Sequence, residues 1–164
     1  MGKACFVTGT DTGIGKTLIA SALVYGYGQR GLRAVGMKPV AAGCEEHEGS
    51  LMSEDVSMLM AAGNVAAPLN IHNPYAFVPA IAPHIAAAQS GVVIRFEAIQ
   101  RAYEELTTLA DMVVVEGVGG FRVPLSDDLA IVQQFFPAVP GRQAQKRIAA
   151  QQQADSNFFT QFYI

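Results

Sequence analysis

The run Gly9-Thr10-Asp11-Thr12-Gly13-Ile14-Gly15-Lys16-Thr17 follows the short apolar stretch Ala4-Cys5-Phe6-Val7-Thr8. A strand that delivers the chain into a glycine-rich loop, with a helix opening behind it, makes a concave anion site from backbone N–H groups and the helix N-terminus. Lysine at the helix start reaches the β- and γ-phosphates of a nucleotide, and the adjoining threonine hydroxyl ligates Mg²⁺. Lys16 and Thr17 stand at those places. The usual loop has four residues between its two glycines, whereas five separate Gly9 from Gly15. The competing reading is an ordinary glycine-rich strand-to-helix turn. A dinucleotide fingerprint fits less well, because Gly13-x-Gly15 lacks a third glycine three residues on.

Three further residues could act on a bound phosphate. Glu116 closes the apolar run Met112-Val113-Val114-Val115 and precedes Gly117-Val118-Gly119-Gly120. An acid at such a strand end can hold Mg²⁺ directly or through water; otherwise it is a solvated carboxylate. Lys38 ends a second apolar run and could offset charge developing on a transferred phosphoryl group, or simply be solvated. Asp55 follows Ser53-Glu54 at a helix start, where the helix dipole alone is reason enough for an acid. His47, His72 and His84 have no ligand spacing.

The elements that must position these groups are legible from periodicity. Residues Ala4 to Thr8 read as a central strand, nearly all apolar. From Thr17, the residues Leu18, Ile19, Ala22, Leu23, Gly26 and Tyr27 recur at helical spacing, and Gly31 is a stop. A second strand spans Ala34 to Lys38, halted by Pro39. Ala41 to Ser50 reads as loop. Ser53 is an N-cap for a helix with Val56, Leu59 and Met60 on one face. Asn73-Pro74-Tyr75, Pro79 and Pro83 mark an irregular connection, and His84 to Gln89 a short helix stopped at Gly91. Phe96, Ile99, Tyr103, Leu106 and Ala110 form a second helical stripe leading into the valine strand. Strand, loop, helix and strand make a βαβ unit, with ligands expected at the carboxyl ends of the strands. The fold class is α/β: a phosphate-loop NTPase-like, mainly parallel sheet flanked by helices, incomplete on its C-terminal side.

Composition narrows the function classes. With 164 residues, 51% apolar and 15% charged, the chain suits one domain with a sizeable core. A net charge of −3 without a Lys/Arg cluster argues against nucleic-acid binding. No apolar stretch approaches the ~20 residues of a membrane span. Cys5 and Cys44 lack CxxC or metal-site spacing, which fits a reducing, cytoplasmic setting.

Taken together, the segments Phe6 to Thr17, Gly36 to Gly43, the acid at Asp55, Asn73 to Ala87 and Val113 to Asp127 resemble the dethiobiotin synthetase family. The six-residue offset from Gly9 to Gly15 is itself a feature of that family. The resemblance covers roughly residues 3 to 130 and implies an ATP-dependent cyclo-ligase of biotin biosynthesis. Such an enzyme joins CO₂ or bicarbonate to 7,8-diaminononanoate with MgATP, as a cytoplasmic homodimer. By the resemblance, Lys16, Lys38 and Thr12 are catalytic. Thr12 and the backbone of Gly13, Ile14, Gly15, Lys16, Thr17 and Leu18 line the phosphates. Gly117, Val118 and Gly119 lie beside the nucleotide, and Thr17, Asp55 and Glu116 hold Mg²⁺. Many members carry serine where this chain has Ala42, so a hydrogen bond to the substrate is absent.

After about Leu129 the composition changes. Eight of eleven glutamines lie between Gln133 and Gln161, and one glycine, Gly141, follows Gly120. The family continues here with a helix, a core strand and an asparagine-containing adenine site, which this chain does not display. The reading is therefore a phosphate-loop domain over residues 1–130 and an atypical Gln-rich segment over 131–164, the latter from a shifted reading frame or a truncation. Other readings are a non-catalytic nucleotide-binding remnant and a related phosphate-loop ATPase or amidoligase. The Asn73 to Ala87 segment and Lys38-Pro39 favour the synthetase, since by the resemblance they serve diaminononanoate.

Overall fold

The computed structural model describes residues 3–120 and 123, together with the backbone of 160–163. Its centre is a sheet of β1 (Lys3–Gly9), β2 (Ala34–Met37), β7 (Met112–Glu116) and β8 (Thr160–Tyr163), in the order β2-β7-β1-β8. The first three are parallel; β8 runs antiparallel along β1, Phe6 opposite Tyr163 and Gly9 opposite Thr160. The run read as a central strand, β1, lies between β7 and β8, and the mainly parallel α/β architecture holds. The tail strand at 160–163 has no alternating pattern to announce it; the rest of the Gln-rich segment lies outside the described residues.

Strand alternation sorts the side chains into two layers. Cys5, Val7, Met112 and Val114 face α1 (Lys16–Gln29) and α2 (Glu54–Ala62), packing with Ala20, Val24 and Leu59. Phe6, Val35, Met37, Val113 and Val115 face the other way, onto α3 (Leu69–His72), α4 (Pro83–Gln89) and α5 (Phe96–Leu109), meeting Ile71, Ala86, Ile99 and Leu106. Glu116 continues the 112–114 parity and Lys38 the 34–36 parity, so both head for the α1/α2 side.

Three local readings change. Within the stretch read as the buried stripe of α1, Leu18 and Ala22 are exposed; the inward face is Lys16, Ala20 and Val24. The loop turns Lys16 inward, and i, i+4, i+8 spacing fixes everything after it. The Ala41 to Ser50 loop contains strand. After β3 (Val40–Ala42), β4 (Glu45–His47) and β5 (Ser50–Met52) form a hairpin. Its turn residues Glu48 (φ 51°) and Gly49 (φ 79°) both sit in the left-handed region that tight hairpins require. The irregular connection, which α3 precedes, holds β6 (Tyr75–Phe77), pairing in parallel with β3.

Candidate active site

β1 ends in the glycine loop. Gly13 (φ 74°) and Gly15 (φ 90°) adopt left-handed backbone there, which is why both are glycine. Gly15 is the N-cap of α1 and provides no side-chain cap, so the first-turn N–H groups face the loop rather than a capping oxygen. β7 lies beside β1 with Val7 opposite Glu116, and this places the acid level with the loop. The Gly119-Gly120 corner then closes against it: a Cβ on Gly120 would stand 2.9 Å from the Thr10 carbonyl oxygen.

Four side chains from four elements meet at that level. The Thr17 hydroxyl is 2.8 Å from Asp55 Oδ1 and 2.8 Å from Glu116 Oε1, and donates to one of them at a time. The Lys38 ammonium pairs with Asp55 Oδ2 and, at 2.9 Å, with Glu116 Oε1. Asp55 arrives on the first turn of α2, which Ser53 caps by accepting from the Val56 N–H at 3.3 Å. Lys38 and Glu116 are buried, their side chains 5% and 1% exposed, whereas Asp55 is 41% exposed. A buried ammonium flanked by two carboxylates is compensated; removing either sign leaves the other stranded. Lys16 turns back over the loop and donates to the Asp11 carbonyl.

Charge follows from this packing. Burial pulls the Lys16 ammonium below its usual range, and the nearby Lys38 adds to the effect. Burial by itself would raise the Asp55 carboxyl, but Lys38, the Thr17 hydroxyl and Lys16 together bring it below the ordinary carboxylate value.

These groups line one cavity of about 780 Å³. Of the residues expected in the site, Thr12, Gly13, Gly15, Lys16, Thr17, Lys38, Asp55, Glu116, Val118 and Gly119 line it. Three expected residues do not. Ile14 folds over Gly9, Leu18 points outward at 65% exposed, and Gly117 packs on the Phe6 ring. The opposite wall is Ala42 with Ala80, Ile81, Ala82 and Pro83, from the turn between β6 and α4. No residue of this turn between Pro79 and Pro83 announces chemistry, so only the surrounding segment was legible. Asn73, which opens the segment singled out by the resemblance, binds the Lys38 carbonyl, a contact its place before a proline does not announce.

The donor set suits Mg²⁺. Hard divalent Mg²⁺ is held through one or two carboxylates with water and phosphate oxygens completing the shell. Thr17, Asp55 and Glu116 offer one hydroxyl and two carboxylates, and buried Glu116 Oε2 has no hydrogen-bond partner among the described residues. Among those residues no cluster of three or more His, Cys, Asp or Glu side chains could hold a metal unaided. None of the three histidines lines the cavity.

A parallel sheet carrying a glycine loop, a lysine–threonine helix start and a strand-end acid defines a phosphate-loop nucleotide-binding domain. Residues 3–136 match the model of a family described as an AAA domain, and the chain belongs to that family. The chain is also similar to a protein from Nitrosospira multiformis named ATP-dependent dethiobiotin synthetase BioD, 51% identical over 142 residues. The match takes in 85% of this chain and 61% of that relative's length. Among the described residues no helix is long and apolar enough to cross a membrane.

Proposed function

We propose that this chain acts as a dethiobiotin synthetase, closing a cyclic urea on 7,8-diaminononanoate with CO₂ and MgATP. The observation that carries the reading is the Lys38 ammonium held between Asp55 and Glu116, with the Thr17 hydroxyl touching both acids. The likeness to the Nitrosospira protein supports it.

In this reading the substrate amine adds to CO₂ and loses a proton, giving a carbamate. A carbamate oxygen attacks the γ-phosphorus and ADP leaves. The neighbouring amine then attacks the carbonyl of the mixed anhydride, releasing phosphate and closing the ring. Such chemistry asks the protein for positioning and charge compensation rather than covalent help. Thr12 and the backbone of residues 13–18 would line the triphosphate, with Lys16 turning from the Asp11 carbonyl to its oxygens. A triphosphate would add to the counter-charge that Glu116, Asp55 and Asp11 give buried Lys16. Gly117 to Gly119 would flank the nucleotide. Lys38 would face the carbamate and the phosphoryl group it attacks. Thr17, Asp55 and Glu116 would hold Mg²⁺, which when bound supplies positive charge to the phosphate oxygens. The wall of Ala42, Ala80, Ile81, Ala82 and Pro83 suits an aliphatic chain. We further propose a cytoplasmic homodimer; exposed Val78 and Ile85, with Ile81 of the cavity wall, favour a covering partner.

ADP formation that requires diaminononanoate, bicarbonate and Mg²⁺, and vanishes in Lys16→Ala, tests the reading. The alternative reading is nucleotide binding without turnover. Binding of mant-ATP with no diaminononanoate-dependent ADP release selects it.

A further inference from the structure

Lys38 leaves β2 at the edge of the described sheet, where its backbone has no second strand to pair with among the described residues. The turn after α3 takes that role. The Lys38 N–H donates to the His72 carbonyl at 2.8 Å, and Asn73 Nδ2 donates to the Lys38 carbonyl at 2.7 Å and the Tyr75 carbonyl at 3.0 Å. His72 Nδ1 lies 2.8 Å from the Gly36 carbonyl oxygen, two residues back along the same strand. Asn73 is itself fixed, its N–H donating to the Leu69 carbonyl at 2.8 Å. Both residues are buried, 5% exposed for Asn73 and 3% for His72, and neither lines the cavity.

We infer that Asn73 is a positioning residue for Lys38, acting through the backbone. The lysine stem has four rotatable bonds, so two anchors define its ammonium: the carboxylates at its tip and the clamp at its root. Loss of the root clamp lets the tip wander, and a misplacement of about 1 Å at a reacting group costs up to about 10²-fold in rate. The phosphate loop rises from β1, two strands away, and does not share the clamp. Nucleotide affinity and turnover therefore separate, which a purely structural role for Asn73 would not produce.

The inference rests on the synthetase reading for its kinetic arm, so the test has an arm free of it. Asn73→Ala and Asn73→Ser are compared with wild type for acylation of Lys38 and Lys16 by an acetyl N-hydroxysuccinimide ester, read by peptide mass spectrometry. Lys38 labelling is expected to rise at least about fivefold while Lys16 labelling stays level, since only one lysine loses its anchor. In steady state, kcat falls at least about tenfold with the mant-ATP Kd within about twofold, and Asn73→Ala adds nothing in a Lys38→Met background. Unchanged Lys38 labelling in a folded variant overturns the inference, as does a joint shift of kcat and Kd. If Asn73→Ala lacks a cooperative melt, the same readings are taken on Asn73→Ser, whose short hydroxyl reaches one carbonyl at most. A wild-type chain without ADP formation refutes the synthetase reading, and the labelling result then decides the inference alone.

Discussion

Lys38→Met isolates what the ammonium does, because methionine keeps the buried apolar stem and deletes the charge. In the variant, Asp55 and Glu116 face each other across the Thr17 hydroxyl with no cation between them. Stranding one partner of a buried ion pair costs about 3–5 kcal/mol; with Asp55 41% exposed, about 2–4 kcal/mol is the expectation. For a chain of this size that is a fall in Tm of about 5–12 °C. Urea and thermal unfolding followed by circular dichroism measure it. The deficit also has a pH signature. In the wild type the Asp55 carboxyl is held low by Lys38, so its contribution is present above the ordinary carboxylate pKa of 3.8 and lost as pH falls through the lowered value. Without Lys38 that contribution is gone, so the gap between the proteins is wide at pH 7 and narrows below about pH 4. Mg²⁺ should restore the variant more than the wild type, by up to about 2.7 kcal/mol at a hundredfold excess over Kd. A Lys38→Met protein that melts with the wild type, or gains no more from Mg²⁺, would refute the claim that one cation and two carboxylates form a compensated unit.

Three other outcomes are expected. Gly36→Ala puts a Cβ 2.8 Å from Leu59 Cβ between β2 and α2, and urea unfolding should show a loss of about 1–3 kcal/mol. Ser53→Ala removes the cap of α2; because the bond to the Val56 N–H is long at 3.3 Å, the loss should be near the low end, about 0.5–1 kcal/mol, with weaker Mg²⁺ binding through a less ordered Asp55. The Arg33 side chain and N–H bond the Asp111 carboxylate and hold its pKa at about 2 against 3.8. Arg33→Gln should return it part of the way in an NMR titration, because the bond from the residue 33 N–H remains. Stability that the wild type has above about pH 4 and loses toward pH 2 should be reduced in this variant.

The phosphate end of the site was legible because its demands are local. An apolar run, glycines with positive φ, and Lys-Thr at a helix start lie within fourteen consecutive residues, Ala4 to Thr17. Glu116 was readable from the valines before it. Asp55 could not be told from an ordinary helix-start acid, because only the tertiary meeting with Lys38 and Thr17 gives it more to do. The stripe of α1 was misplaced because apolar Leu18 and Ala22 mimic a core face, while the residue that sets the true face is the charged Lys16. The β4–β5 hairpin escaped because Glu45 and Glu46 resemble loop, although Glu48-Gly49 carried the turn chemistry. Short α3 and β6 span too few residues to show a period, and with them the clamp on Lys38 was invisible.

The pairing of Val7 with Glu116 makes two neighbouring strands a ruler for the site. One inserted residue in β7 before Glu116 would swing that acid to the opposite layer, and one in β1 would shift the glycine loop out of level with it. The turn at residues 80–83 is bound by no such register. Its length and bulk can drift without disturbing the ruler, so a change in what the far wall of the cavity accepts is most accessible there, both to natural variation and to a protein engineer.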